Sequence, residues 1–135
     1  MIESVDHIGI AVRSLDEAIV RFERILGRRC DGVESVLEQD VRIAFFSVGG
    51  VRVELLEALS ATSPVARFIE KRGEGIHHLA FRSSDVSRDV DSAKAAGCEH
   101  LEGVVANGAG GARVAFLHPK TMFGVLVEIC GGRTD

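Results

Sequence analysis

The chain of 135 residues contains no Trp and no Tyr, only two Pro, and three Cys that form no CxxC pair. Missing Trp and Tyr remove two of the stacking residues on which single-stranded nucleic-acid binders rely, although seven Phe remain. Basic residues number 16 against 20 acidic ones, a formal net charge of −4, so the positive field that phosphate backbones require is missing as well. Nucleic acid is therefore not an expected partner. Cys30, Cys98 and Cys130 are scattered and odd in number, which argues against a disulfide framework or a zinc ribbon. No apolar run approaches the ~18 residues of a membrane span, and the first residues, MIESVDHIGI, are acidic where a secretory leader would be basic. A cytoplasmic protein with reduced thiols is expected. What is abundant is Gly, at 15 residues, in a composition that is otherwise ordered, with 46% hydrophobic and 27% charged residues. Tight turns, or a backbone kept bare around a cavity, would account for it.

The chain repeats itself. Asp6-His7-Ile8-Gly9-Ile10-Ala11-Val12 matches His77-His78-Leu79-Ala80-Phe81-Arg82-Ser83 at an offset of 71 residues. Val41–Phe46 matches Ala112–Leu117 at the same offset, and Val51–Leu56 matches Val125–Cys130 at a slightly larger one. Three matches in one order mark a duplicated module. Each copy reads as strand, helix and three strands. In the first, Val5–Val12 is a strand by its alternation. Ser14-x-x-Glu17 has the spacing of a capping box; Leu15, Ala18, Ile19, Phe22 and Leu26 then recur at helical spacing until Gly27 stops them. Strands follow near Arg29–Glu34, Val41–Val48 and Val51–Leu56. In the second copy a strand at Ile76–Arg82 leads to a helix begun by Ser84 or Asp85, striped by Val86, Val90 and Ala93 and ended at Gly97. Strands near His100–Val105, Arg113–Leu117 and Val125–Ile129 complete it. Ser63-Pro64, with Val65, Phe68 and Ile69 behind it and Gly73 after it, predicts a short linking helix at about 63–72. One domain of two repeats, about 1–60 and 74–132, is expected.

Strand parity sorts the side chains, because neighbours along a strand point to opposite faces. Ile8, Ile10 and Val12 suit the face under a helix, which leaves His7, Gly9 and Ala11 on the other. His78, Ala80 and Arg82 share the corresponding face of the repeat. Glu54 and Glu128 each point away from the bulky pair beside them. Small residues (Gly9, Ala11, Ala80, and with them Ala44 and Ala115) are expected to keep that face hollow. Each His or Glu taken alone has an ordinary structural explanation, a satisfied His at a strand start or a solvated Glu near a strand end. Their recurrence at matching positions makes the case for a site. Two imidazoles and two carboxylates are a donor set for Zn²⁺, Mn²⁺, Co²⁺, Ni²⁺ or Fe²⁺, with room for water or substrate.

These segments resemble a known family. VDHIGIAVRSLDEAI, EQDVRIAFFSVGGVRVELLEAL, SPVARFIEKRGEGIHHLAF and GAGGARVAFLHPKTMFGVLVEIC together cover most of the chain and are similar to the methylmalonyl-CoA epimerases of the vicinal oxygen chelate superfamily. EKRGEGIHHLAF and FLHPK…GVLVE are the more specific parts. The resemblance implies an α+β fold of two tandem βαβββ modules in a cup-shaped mixed sheet, with helices on the outer face. It implies metal ligands at His7, Glu54, His78 and Glu128, a homodimer, and an acyl-CoA substrate. The implied reaction, a step of propionate metabolism, interconverts (2R)- and (2S)-methylmalonyl-CoA by removing the α-proton to give an enolate. Glu128 is then a candidate base as well as a ligand. Some of these epimerases carry a second catalytic Glu where this chain has Ile43; Glu38, His77 and His118 are the alternatives for that role. Lys71, Arg72, Arg113 and Lys120 could meet the phosphates of coenzyme A, although a solvated surface role is the simpler reading. Asn107–Gly111 reads as a loop beside the cup. A glyoxalase-like lyase or isomerase, or a binding or resistance protein without catalysis, would use the same scaffold.

Overall fold

The computed structural model describes residues 1–101, 106–107 and 113–131. The expected strand residues 102–105 and the glycine-rich residues 108–111 lie outside them. The element order is β1 (Ile2–Ala11), α1 (Leu15–Leu26), β2 (Gly32–Val36), β3 (Val41–Val48), β4 (Val51–Ala58), α2 (Pro64–Arg72), β5 (Gly75–Ser83), α3 (Val86–Ala95), β6 (Ala106–Asn107), β7 (Arg113–Leu117) and β8 (Val127–Gly131). This is the α+β order that the repeat predicts, βαβββ twice with a helix between. Two compact units divide the chain: Ile8–His77, and Met1–His7 with His78–Asp135.

In the unit Ile8–His77 the strand order is β2-β3-β4-β1. Ser14 caps α1 by accepting from the Glu17 amide at 3.3 Å, and Gly27 ends the helix in the left-handed region at φ 66°. The apolar stripe of α1 then meets the sheet: Val12, Leu15, Ala44, Phe46 and Leu55 are buried together, with Ile10, Ala18, Ile19, Phe22 and Leu26 against them. β3 and β4 are joined by Gly49 and Gly50, at φ 56° and 86°, the two positive values that a tight two-residue hairpin demands. Ser63 caps α2 and Pro64 occupies its first turn. β2 begins later than the sequence suggests. Residues 28–30 are held by the end of α1 instead: the Arg28 amide bonds the Glu23 carbonyl and the Cys30 amide bonds the Glu23 carboxylate.

In the other unit the order is β1-β5-β8-β7-β6. β5 and β8 are parallel, pairing Ala80 with Glu128; β7 and β8 are antiparallel, pairing Phe116 with Glu128. Asp85 rather than Ser84 caps α3, accepting from the Arg88 amide at 3.1 Å. Val86 and Val90 of α3 pack on Ala115, Leu117, Val127 and Ile129. The alternate residues, Ala80, Val114, Phe116 and Cys130, form a second buried cluster. β8 starts at Val127 because the amides of Gly124 and Val125 bond back to Pro119 and Met122.

One parity expectation fails. Ala115 is paired with Ile129, and Ala44 with Leu55, so both alanines lie on the faces that α3 and α1 cover. Residues paired across a ladder share a face, and that register overrides a reading based on side-chain size.

Candidate metal centre

Three strands of one unit bring His7 (β1), His78 (β5) and Glu128 (β8) together. His7 Nε2 lies 3.0 Å from His78 Nε2 and 3.3 Å from Glu128 Oε2, and His78 Nε2 lies 3.4 Å from Glu128 Oε1. All three are buried, each 4–6% exposed. The two rings meet edge to face with centroids 5.0 Å apart, and Phe116 packs edge-on against His78 at 6.0 Å. The pairing of β8 with both β5 and β7 fixes Glu128 in register with Ala80 and Phe116.

A carboxylate buried this deeply is costly to ionise. That cost pushes the Glu128 pKa up, but the His7 hydrogen bond and the charges of His7 and His78 outweigh it and hold the group below its ordinary value. Glu128 is thus a carboxylate at neutral pH. The spacing also suits an ion. With metal–ligand bonds of about 2.0–2.2 Å, two ligand atoms lie about 3.0 Å apart at a right angle and about 3.4 Å apart at the tetrahedral angle. The contacts of 3.0, 3.3 and 3.4 Å fall in that span, the last two reaching different oxygens of Glu128. Donor types and spacing together fit a divalent metal.

Glu54 is buried on β4, in the other unit, where it opposes Phe45 across the ladder. Arg52 Nε is 4.0 Å from its Oε2, and the Arg52 guanidinium sits 4.0 Å over the Phe45 ring. Glu38 is exposed on a 3-10 turn, Leu37–Gln39. Ile43 is buried on β3. His77 faces Phe68 of α2, centroids 4.9 Å apart, and its burial lowers its pKa to about 4. His118 is engaged as a helix cap, its Nδ1 accepting from the Lys120 amide at 3.0 Å. Lys71, Arg72, Arg113 and Lys120 are exposed.

Asp6 is a member of the site that parity reasoning passes over, since it neighbours His7 along the strand. Its side chain is nevertheless buried, with Oδ2 2.7 Å from His7 Nδ1 and Oδ1 within 3.1 Å of the Arg82 guanidinium. Its sequence signal is an Asp directly before a candidate ligand, with Arg82 on the same parity as His78 in the adjacent strand.

The model of the glyoxalase/bleomycin resistance protein/dioxygenase superfamily matches residues 6–116. The chain belongs to this superfamily. Among its relatives, the uncharacterized protein YqjC of Bacillus subtilis (strain 168) is 40% identical over 97% of this chain and 94% of its own length. The ethylmalonyl-CoA/methylmalonyl-CoA epimerase of Cereibacter sphaeroides is 35% identical over 96% of this chain and 98% of its own. Among solved structures, a variant of Streptomyces coelicolor methylmalonyl-CoA epimerase in complex with 2-nitronate-propionyl-CoA superposes with a TM-score of 0.90 at 35% identity, covering 98% of this chain and 96% of its own. The superfamily's fold is the one described above, and among the described residues no helix is long and apolar enough to cross a membrane.

Proposed function

We propose that this chain is a divalent-metal-dependent epimerase that interconverts (2R)- and (2S)-methylmalonyl-CoA. The observation that carries the reading is the buried cluster of His7, His78 and Glu128, with side-chain contacts of 3.0–3.4 Å. The relatives named as epimerases supply the substrate class. His7, His78 and Glu128 would hold the ion. Glu54 is the proposed fourth ligand because it is the repeat counterpart of Glu128 and is buried as Glu128 is. When bound, the ion supplies Lewis-acid polarisation of the thioester carbonyl, which makes the neighbouring α-proton easier to remove.

The chain's own residues supply the rest. Glu128 is an ionised carboxylate in a site walled by Phe116 and is the candidate base that takes the α-proton. Inversion requires a proton to return to the opposite face of the same carbon. Ile43 cannot serve, having no ionisable group, and His77 and His118 are engaged with Phe68 and with a backbone amide. Glu38 is retained as the proposed second acid–base group on sequence grounds alone. A homodimer and a cytoplasmic location belong to the same proposal, the first from the resemblance and the second from the unpaired thiols.

The test is exchange of the α-proton of methylmalonyl-CoA in D₂O, followed by NMR with and without a chelator. Metal-dependent exchange at a catalytic rate is expected. No exchange by the fully metallated protein would overturn the epimerase reading. Tight binding of a small molecule unaffected by the chelator would favour a binding protein of the same fold.

A further inference from the structure

The Asp6–Arg82 pair has a geometry that bears on how His7 can act. Asp6 is 4% exposed, and a carboxylate so buried is tolerable only with its oxygens engaged. Both are engaged by different partners. Oδ1 accepts from Arg82, 3.1 Å from Nε and 3.0 Å from the terminal nitrogen, while Oδ2 stands 2.7 Å from His7 Nδ1. An ionised carboxylate accepts and does not donate, so the short contact requires the proton of His7 to be on Nδ1. Nε2 is then the nitrogen left for a metal, which would displace the proton it otherwise directs at Glu128. That is the nitrogen directed at His78 and Glu128.

We propose that Asp6, anchored by Arg82, is a positioning residue that fixes the His7 tautomer and ring orientation for metal coordination through Nε2. The proposal rests on the metal centre argued above and adds to it the outer partner of one ligand. Cys130 offers a rival use of the same residues, since its thiol, Asp6 and His7 could themselves enclose an ion. Geometry favours the supporting role. The 2.7 Å contact is a charge-assisted hydrogen-bond length, shorter than the about 3.0–3.4 Å separating two ligands of one ion.

Outer-shell carboxylates that orient a ligating imidazole contribute roughly 10–100-fold to metal affinity. The near-isosteric variant Asp6→Asn tests the idea, because an amide can turn its NH₂ toward Nδ1 and admit the opposite tautomer. Two measurements apply: long-range ¹H–¹⁵N correlations of His7 in the metal-free protein, and Zn²⁺ and Mn²⁺ affinity by competition with a chromogenic chelator. The expected result is a fully protonated Nδ1 in the wild type and a substantial population lacking the Nδ1 proton in Asp6→Asn, with metal affinity lower by roughly 10–100-fold. An unchanged tautomer in a folded Asp6→Asn protein overturns the proposal, whether or not affinity falls. Unchanged affinity overturns it too. If Asp6→Asn does not fold, the metal-free wild type decides: a His7 Nδ1 without its proton overturns the proposal. A wild-type protein that binds neither ion would sink the metal centre itself. The tautomer in the metal-free protein would still judge the part played by Asp6.

Discussion

His7 Nε2 and His78 Nε2 stand 3.0 Å apart although 71 residues separate them along the chain. Each comes from the same place in its repeat, the face of a strand that the helix of that repeat leaves uncovered. The pair is useful only together with Glu128, because two imidazoles alone would leave an ion weakly held. Replacing His78 with Ala removes one of the three clustered donors. Metal affinity is expected to fall by more than the roughly 100-fold that loss of an outer partner can cause, and α-proton exchange should disappear with it. Equilibrium competition with a chelator measures the first and NMR in D₂O the second. Unchanged far-ultraviolet circular dichroism would show that the fold survives. Normal exchange by this variant would refute the assignment of His78.

Much of this arrangement is legible in the sequence. The helix caps at Ser14 and Ser63, the stops at Gly27 and Gly73, and the order of elements follow from local chemistry that neighbours do not override. His78 and Glu128 could be placed on one face because parity along a strand is a short-range property. Depth was not legible in the same way. Ala44 and Ala115 look like residues that keep a cavity open, but ladder register puts them under helices, and register is set by partners distant in sequence. Asp6 escaped for the opposite reason. Alternation assigns it to the other face from His7, whereas a short side chain next to its neighbour's ring can turn to meet it.

Leu15 tests the packing of α1. It is fully buried among Val12, Ala44, Phe46 and Leu55. Leu15→Ala should lower the unfolding free energy by about 2–5 kcal/mol, the usual cost of lost apolar burial plus an unfilled cavity. The cap beside it is a smaller effect: Ser14→Ala should cost about 1 kcal/mol through the unmet Glu17 amide. Urea titrations of the two variants check both values. Equal losses would mean that packing under α1 is looser than this structure indicates.

Gly131, at the end of β8, is fixed by space. A Cβ there would lie 2.6 Å from the backbone oxygen of Ser83 and 3.3 Å from Cγ2 of Val86. The first neighbour is main chain at the junction of β5 with α3 and has little freedom to retreat. Gly131→Ala is expected to destabilise by about 1–3 kcal/mol through overpacking. A thermal melt that matches the wild type within error would show that the junction can shift.

Ser83 links that junction to pH. Its hydroxyl donates to the Asp89 carboxylate and accepts from the Asp85 amide at 2.9 Å, joining the first turn of α3 to the end of β5. The Ser83 hydrogen bond holds the Asp89 pKa below its ordinary value of 3.8, against an opposing effect of burial. For a carboxylate depressed in the folded state, the unfolded chain binds the proton first. The stabilisation is therefore complete above the ordinary carboxylate pKa and is lost as pH falls through the lowered folded value. Asp89→Asn should thus be less stable than the wild type near pH 7, and the gap should close as pH falls below about 4, where the wild type gives up the same interaction. Urea midpoints for both proteins between pH 7 and pH 3 provide the check. A gap that stays constant over this range would mean that Asp89 acts through its shape and hydrogen bonding in either protonation state, and not through its charge.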